Sequence, residues 1–226
     1  MKSPSLVVGS LARHGRVFLT PDSPVSLARK LFRKYPRLSH LPLTSSEKRY
    51  LALLPRQSLR GVPSSAPVEN LTRFPLPPLP PYATIYDALQ QMEEHQVTEM
   101  PVASDDGVYL GLVTTEALVH WWAQLGAVQE PGTVLILEST LRNYSLTEIA
   151  QCLESDEIRI LSAYLLPHST DPQRTYIVLK VNSIYLSRSI ELLSRKGYPL
   201  VALHGDALME KQARDQLRAL LRYLDL

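Results

Sequence analysis

Apolar positions along the chain change period several times, and the changes mark the elements. In PVSLARKLF (24–32) and TIYDALQQM (84–92) they fall at helical spacing, with Leu27, Leu31 and Phe32 in the first and Ile85, Ala88, Leu89 and Met92 in the second. A short apolar run follows each, Leu41-Pro42-Leu43 and Met100-Pro101-Val102. Then comes a strand that turns into polar residues, YLALLPRQSL at 50–59 and YLGLVTTEAL at 109–118. These last two align without a gap: Tyr50, Leu51 and Leu59 recur as Tyr109, Leu110 and Leu118, and the offset of 59 also holds for the short runs before them. The helices align with one residue of slippage. Self-similarity at this period predicts a duplicated unit of helix, short strand, strand and helix. Neither copy is large enough to bury a core alone, so the two are expected to pack face to face. Between them lies RFPLPPLPPY (73–82), whose five prolines exclude a regular helix and predict a stiff extended lead into the second copy, with a recognition peptide as the alternative.

From Pro131 the pattern is different. GTVLILEST (132–140) reads as a buried strand and SLTEIAQCLES (145–155) as a helix, with Ser145 and Glu148 spaced as a capping box and Leu146, Ile149, Ala150 and Leu153 on its inner face. IRILSAYLL (158–166) and TYIVLKVN (175–182) alternate as two strands around the polar loop PHSTDPQR. A second helix over 184–196 carries Leu186, Ile190 and Leu193 inward and stops at Gly197, and PLVALHG closes with a fourth strand. The order βαββαβ is that of a ferredoxin-like fold. The fold class is therefore α+β, organised as a first repeat over 1–74, a second over 75–128, the ferredoxin-like domain over 131–205, and a C-terminal amphipathic helix over 206–226. That last stretch places Leu217, Leu220, Leu221 and Leu224 on one stripe and Arg214, Arg218 and Arg222 on another, and docking on protein is its expected use.

Composition narrows the classes. No apolar run approaches the roughly 18–20 residues of a membrane span, and the N-terminus is too polar for a secretion signal, so a cytoplasmic location without membrane contact is expected. The lone Cys152 leaves no internal disulfide and no cysteine-based zinc cluster, and the six histidines show no metal-ligand spacing. The net charge of +2 conceals an asymmetry: residues 1–75 hold 13 Lys/Arg against 3 Asp/Glu, leaving 11 against 19 for the rest. The basic part faces either an anion or acidic protein partner, or the acidic remainder of the same protein or of a second copy. Nucleic acid would also suit the charge, but no recognition motif accompanies it.

Thr84-Ile85, Ala88-Leu89, Met92, Met100-Pro101-Val102, Asp106-Gly107 and Gly111-Leu112-Val113-Thr114 together resemble a CBS motif, and the two copies resemble a CBS pair, or Bateman module. With the unit that follows, PGTVLILEST, NYSLTEIAQCLES and ILSAYLL, nearly the whole chain resembles bacterial proteins that join a CBS pair to an ACT-like domain. That resemblance implies a non-enzymatic regulatory sensor and a homodimer. It implies an adenosyl ligand (AMP, ATP or S-adenosylmethionine) at the CBS pair and an amino acid at the ACT-like domain.

A nucleotide site needs a carboxylate for the ribose hydroxyls, hydroxyl and N–H donors for phosphate at a helix start, and an apolar slot for the base. In the resembled family the first two come from a turn of the form G-h-h-T/S-x-x-D/N, where h is apolar. Gly111 and Thr114 match it, but the acidic position holds Ala117. The first copy has Ala52, Pro55 and Ser58 at the same places. Candidate nucleotide-binding residues are therefore Thr114, Gly111, Pro101, Val102, Thr84 and, in the equivalent turn of the first copy, Arg56. Thr114 has a second reading as a plain helix cap. Glu116, one residue from the acidic position, points about 100° away on a helix. For an amino acid, STLRNYS lacks the glycine of such turns, and Asn143, with Tyr144, is the candidate. Trp121-Trp122 either stacks a base or fills an interface. The alternative function is a structural or interaction module whose sites are filled by side chains.

Overall fold

The computed structural model describes residues 6–154 and 158–205, so the C-terminal helix expected over 206–226 lies outside the described residues. The chain divides into two compact units at residues 122/123.

In the first unit α1 (Val8–Leu11) precedes α2 (Val25–Lys34), β1 (His40–Thr44) and β2 (Tyr50–Pro55). The second repeat supplies α3 (Ile85–His95), β3 (Glu99–Ala103), β4 (Tyr109–Thr114) and α4 (Thr115–Ala123). The duplication extends to the hydrogen bonds. β1 pairs antiparallel with β2 and β3 with β4, with Leu43 opposite Ala52 and Val102 opposite Gly111, and each ladder is interrupted by a register shift one residue further on. The repeats differ where the first should end in a helix. After Pro55 the chain makes only a 3-10 turn over Arg56–Leu59, because Gly61 follows with φ 70° and Pro63 after it.

The two repeats interlock. The segment ahead of the first repeat pairs with the second: Arg13 and Leu112 exchange both backbone hydrogen bonds, at 2.8 and 2.7 Å. The segment ahead of the second repeat pairs with the first in the same way, Phe74 and Leu53 exchanging theirs at 2.8 and 2.9 Å. Ile85 N–H donates to Leu6 O and Val25 N–H to Ala66 O, a further related pair. The proline-rich stretch is thus stitched into the fold at both ends, since Leu79 N–H also donates to Pro101 O. Gly111 is required by this interlock: a Cβ there would lie 2.6 Å from Arg13 O, closer than any side chain tolerates. One core runs through both repeats, from Val25, Leu43 and Leu53 to Ile85, Met100 and Leu112. Near the pseudo-twofold axis Tyr50 and Tyr109 stack with centroids 6.5 Å apart. Burial pushes both phenols well above their usual range, so both are neutral.

The second unit contains α5 (Gly126–Gln129), β5 (Thr133–Thr140), α6 (Leu146–Glu154), β6 (Ile160–Pro167), β7 (Arg174–Val181), α7 (Ser187–Arg195) and β8 (Leu200–His204). Its antiparallel sheet has the order β6-β7-β5-β8, the ferredoxin-like topology read from the βαββαβ pattern. Alternate residues of β5 and β7, among them Leu135, Leu137, Ile177 and Leu179, join Ile149, Leu153 and Leu193 in a separate core. Cys152 is buried there. The capping box at α6 departs from the expected form. Glu148 N–H donates to Ser145 Oγ at 3.3 Å. The return bond, however, runs through Tyr198, whose hydroxyl accepts from Ser145 N–H at 3.1 Å and donates to Glu148 Oε2 at 2.8 Å. A phenol from β8's approach segment has replaced the direct glutamate contact.

Candidate functional site

Two of the clefts on the first unit are related by the same pseudo-twofold axis. Each lies where the end of one repeat's first helix faces the other side of a strand pair, so the interlock that builds the core also builds the clefts.

The smaller, about 430 Å³, is bordered by the end of α2 with Lys34, Tyr35 and Arg37, and by Thr98, Glu99 and the turn Thr114-Thr115-Glu116 at the start of α4. Thr114 Oγ1 accepts from Ala117 N–H at 3.2 Å, a helix cap, and Thr115 Oγ1 donates to Thr98 O at 3.3 Å. Glu116 pairs with Arg37 across the mouth, both side chains well exposed, so the pair is readily exchanged for another partner. His14, on the rim in the left-handed conformation (φ 63°), sits edge-on to Tyr35. Its pKa lies below the ordinary value, first through desolvation. Glu116 pulls it up and Arg13 pushes it down.

The larger cleft, about 1000 Å³, is the equivalent space in the first repeat. Arg29, Arg33, Arg56 and Arg60 all line it, together with His40 and Gln96, and no carboxylate does. Arg56 takes the position of Thr115: its N–H donates to Ser39 O as that of Thr115 donates to Thr98 O. Its guanidinium lies over the Phe32 ring, 4.8 Å from the centroid, and Nη2 donates to Pro36 O at 2.8 Å and Leu38 O at 2.7 Å. Arg29 is held as firmly, donating to Ser64 Oγ, Leu59 O and Val62 O at 2.7–3.0 Å.

The wall between the clefts is one buried polar contact. Glu99, 1% exposed, accepts from Ser39 N–H at 2.5 Å and meets His40 Nδ1 at 3.0 Å. Ser39 borders both spaces, Glu99 the smaller and His40 the larger. Neither residue of this pair is among the sequence candidates, although the offset of 59 aligns Ser39-His40 with Thr98-Glu99 and sets an imidazole against a carboxylate at one repeat position.

The sequence candidates are therefore dispersed. Thr114 lines the smaller cleft and Arg56 the larger. Pro101, Val102 and Gly111 belong to the ladder and line neither, Val102 being fully buried in the core. Thr84 is also absent from both linings, and its hydroxyl is engaged in a capping box with Asp87 at the start of α3. Asp87 is held below the usual carboxylate range by those bonds to Thr84. Trp121 packs on the core and Trp122 is exposed, edge-on to it, and neither borders a cleft. In the second unit, Asn143 does not adopt positive φ. Its carbonyl lies 3.1 Å from the Tyr198 hydroxyl, and Tyr144 packs against the core. Among the described residues no group of three or more His, Cys, Asp or Glu could hold a metal, and no helix is long and apolar enough to cross a membrane.

The family model for the CBS domain matches residues 68–123. Over 99 residues the chain is 27% identical to an inosine-5'-monophosphate dehydrogenase from Halalkalibacterium halodurans, a match covering 43% of this chain and only 20% of that enzyme. Among solved structures, a CBS domain pair/ACT domain protein from Thermotoga maritima is similar at 16% identity and TM-score 0.48, covering 52% of this chain and 97% of that one. CBSX2 in complex with AMP is similar at 17% identity and TM-score 0.46, covering 53% and 98%. Residues 68–123 thus match the CBS domain, and the first repeat shares the register, bulge and hydrogen bonds of the second.

Proposed function

We propose that this chain is a regulatory protein without chemistry of its own, whose CBS pair takes up an adenosyl nucleotide (AMP, ATP or S-adenosylmethionine) in the cleft beside Thr114. The observation that carries the reading is the make-up of that cleft. The N-terminus of α4, Lys34 and Arg37 offer donors and positive charge on one side; Glu99 is taken up by Ser39 and His40, and the exposed Glu116 at the mouth is the carboxylate left for ribose hydroxyls. Tyr35 and Leu38 supply apolar surface for a base. About 430 Å³ is within the size of small-molecule sites. The cleft is open, which favours a ligand over the alternative of a module whose sites its own side chains fill.

The reading includes a bacterial, cytoplasmic homodimer. Leu27, Tyr86, Leu89, Val119 and Trp122 are exposed on α2, α3 and α4, an apolar surface consistent with a second copy. Isothermal titration calorimetry with AMP, ADP, ATP and S-adenosylmethionine at millimolar ligand tests the proposal. Saturable binding by one of them, weakened at least about tenfold in Glu116→Ala or Lys34→Ser, is expected. No heat from any of the four, in protein shown to be folded, would remove it.

A further inference from the structure

We infer that the arginine-lined cleft is a second site, chemically distinct from the first, which binds the phosphate chain of an oligophosphate and does not read the nucleoside. Four arginines converge on one concave space of about 1000 Å³, and no acidic residue borders it. Like charges gathered in a recess repel one another, and the low-dielectric walls concentrate their field. Two of the four are built in. Arg56 is clamped by main-chain carbonyls and by Phe32, and Arg29 by Ser64 Oγ and the carbonyls of Leu59 and Val62. All these partners are neutral acceptors, which orient a guanidinium without cancelling its charge, so the remaining N–H groups are presented in a fixed fork. The side chains of Arg33 and Arg60 make no hydrogen bond or ion pair among the described residues and are free to close on an anion.

The chemistry absent from the lining sets the class. A ribose or an amino-acid ammonium group needs an acceptor carboxylate, and none is present. At the repeat position of the ribose acid stands Ser58, whose hydroxyl donates to Thr72 O at 2.9 Å. Four guanidinium groups match several phosphates in a row better than one. The site also answers the charge asymmetry of the sequence: four of the thirteen cations in residues 1–75 gather here.

Calorimetric titration of the full chain with inorganic tripolyphosphate tests this. Saturable one-to-one binding is expected, and in Glu116→Ala, where the other cleft is weakened, ATP should bind no more than about threefold tighter than tripolyphosphate, because adenosine adds no contact. The double substitution Arg33→Ser, Arg60→Ser, at two exposed positions, should lower tripolyphosphate affinity at least about tenfold while leaving the thermal transition in place. No binding at millimolar tripolyphosphate, equal binding by the double variant, or sulfate and citrate matching tripolyphosphate at equal charge would each overturn the inference. Glu116→Ala, in the other cleft, should leave tripolyphosphate binding unchanged. Failure of this site is therefore read from tripolyphosphate and the Arg33→Ser, Arg60→Ser variant, and failure of the proposed nucleotide site from Glu116→Ala and Lys34→Ser.

Discussion

Substituting Glu99 by alanine removes the wall between the clefts, and its effect can be worked from the contacts. The carboxylate is 1% exposed, accepts the Ser39 N–H at 2.5 Å and faces His40 Nδ1 at 3.0 Å. Without it, a main-chain donor and an imidazole nitrogen, both in part-buried contacts, lose their acceptor. A buried group left unsatisfied costs about 1–3 kcal/mol, and the lost bonds involve a charged acceptor, so a destabilisation of about 2–4 kcal/mol is expected. For a unit of this size that lowers the midpoint of thermal unfolding by about 4 °C per kcal/mol, or roughly 8–16 °C. Glu99→Gln keeps an acceptor for Ser39 N–H and should cost about 1 kcal/mol. Glu47 provides the control: its pair with Arg49 spans 3.7 Å with both side chains exposed, so Glu47→Ala should fall within about 0.5 kcal/mol of the parent. Urea unfolding followed by tryptophan fluorescence reads the right unit, because the only two tryptophans, Trp121 and Trp122, end the first unit. If Glu99→Ala unfolds like Glu47→Ala, the wall contributes nothing and the reasoning is wrong.

Three further outcomes are expected. Tyr198→Phe removes the hydroxyl that joins Ser145, Glu148 and Asn143, and circular dichroism should show the second unit losing about 1.5–3 kcal/mol of stability, with no added loss when Glu148→Gln is combined with it. Gly111→Ala forces a methyl against Arg13 O, and hydrogen exchange should reveal faster exchange at Arg13 and Leu112 amides; unchanged protection would contradict the interlock. His14 has a native pKa below 6.5, so the unfolded chain takes up its proton first as the pH falls. Its contribution therefore lowers the stability of the first unit as pH drops from 6.5 towards the native midpoint and is constant below it, and an NMR titration of His14 with a midpoint at or above 6.5 would refute this.

Much of the architecture was legible because it rests on period and spacing. The offset that aligned YLALLPRQSL with YLGLVTTEAL reappears as matching strand registers and matching bulges, and the βαββαβ order reappears as β6-β7-β5-β8. What escaped were features made by residues distant in sequence. Gly111 looked like part of a ligand turn, but its missing side chain makes room for the Arg13 segment, some hundred residues earlier. The capping box of Ser145 and Glu148 was correct in residue type, yet nothing local could announce that Tyr198 would complete it. The arginine cleft was present only as a count of charges, since Arg29 and Arg33 lie on α2 while Arg56 and Arg60 lie beyond β2, and helix periodicity carries no information about which charges will converge. Thr114 and Arg56 were singled out from one turn motif and turn out to border different clefts.

The crossed pairing of Arg13 with Leu112 and of Phe74 with Leu53 also bears on how such a chain could have arisen and how it comes apart. Each repeat lends its leading segment to the other, so a single ancestral copy could have completed itself only by exchanging that segment with a twin. Duplication in tandem would have turned this swapped dimer into one polypeptide. The same geometry predicts that a protease cut in the exposed stretch between Arg60 and Pro63 yields two fragments that remain associated, whereas either fragment expressed without the other lacks the pairing that closes its core.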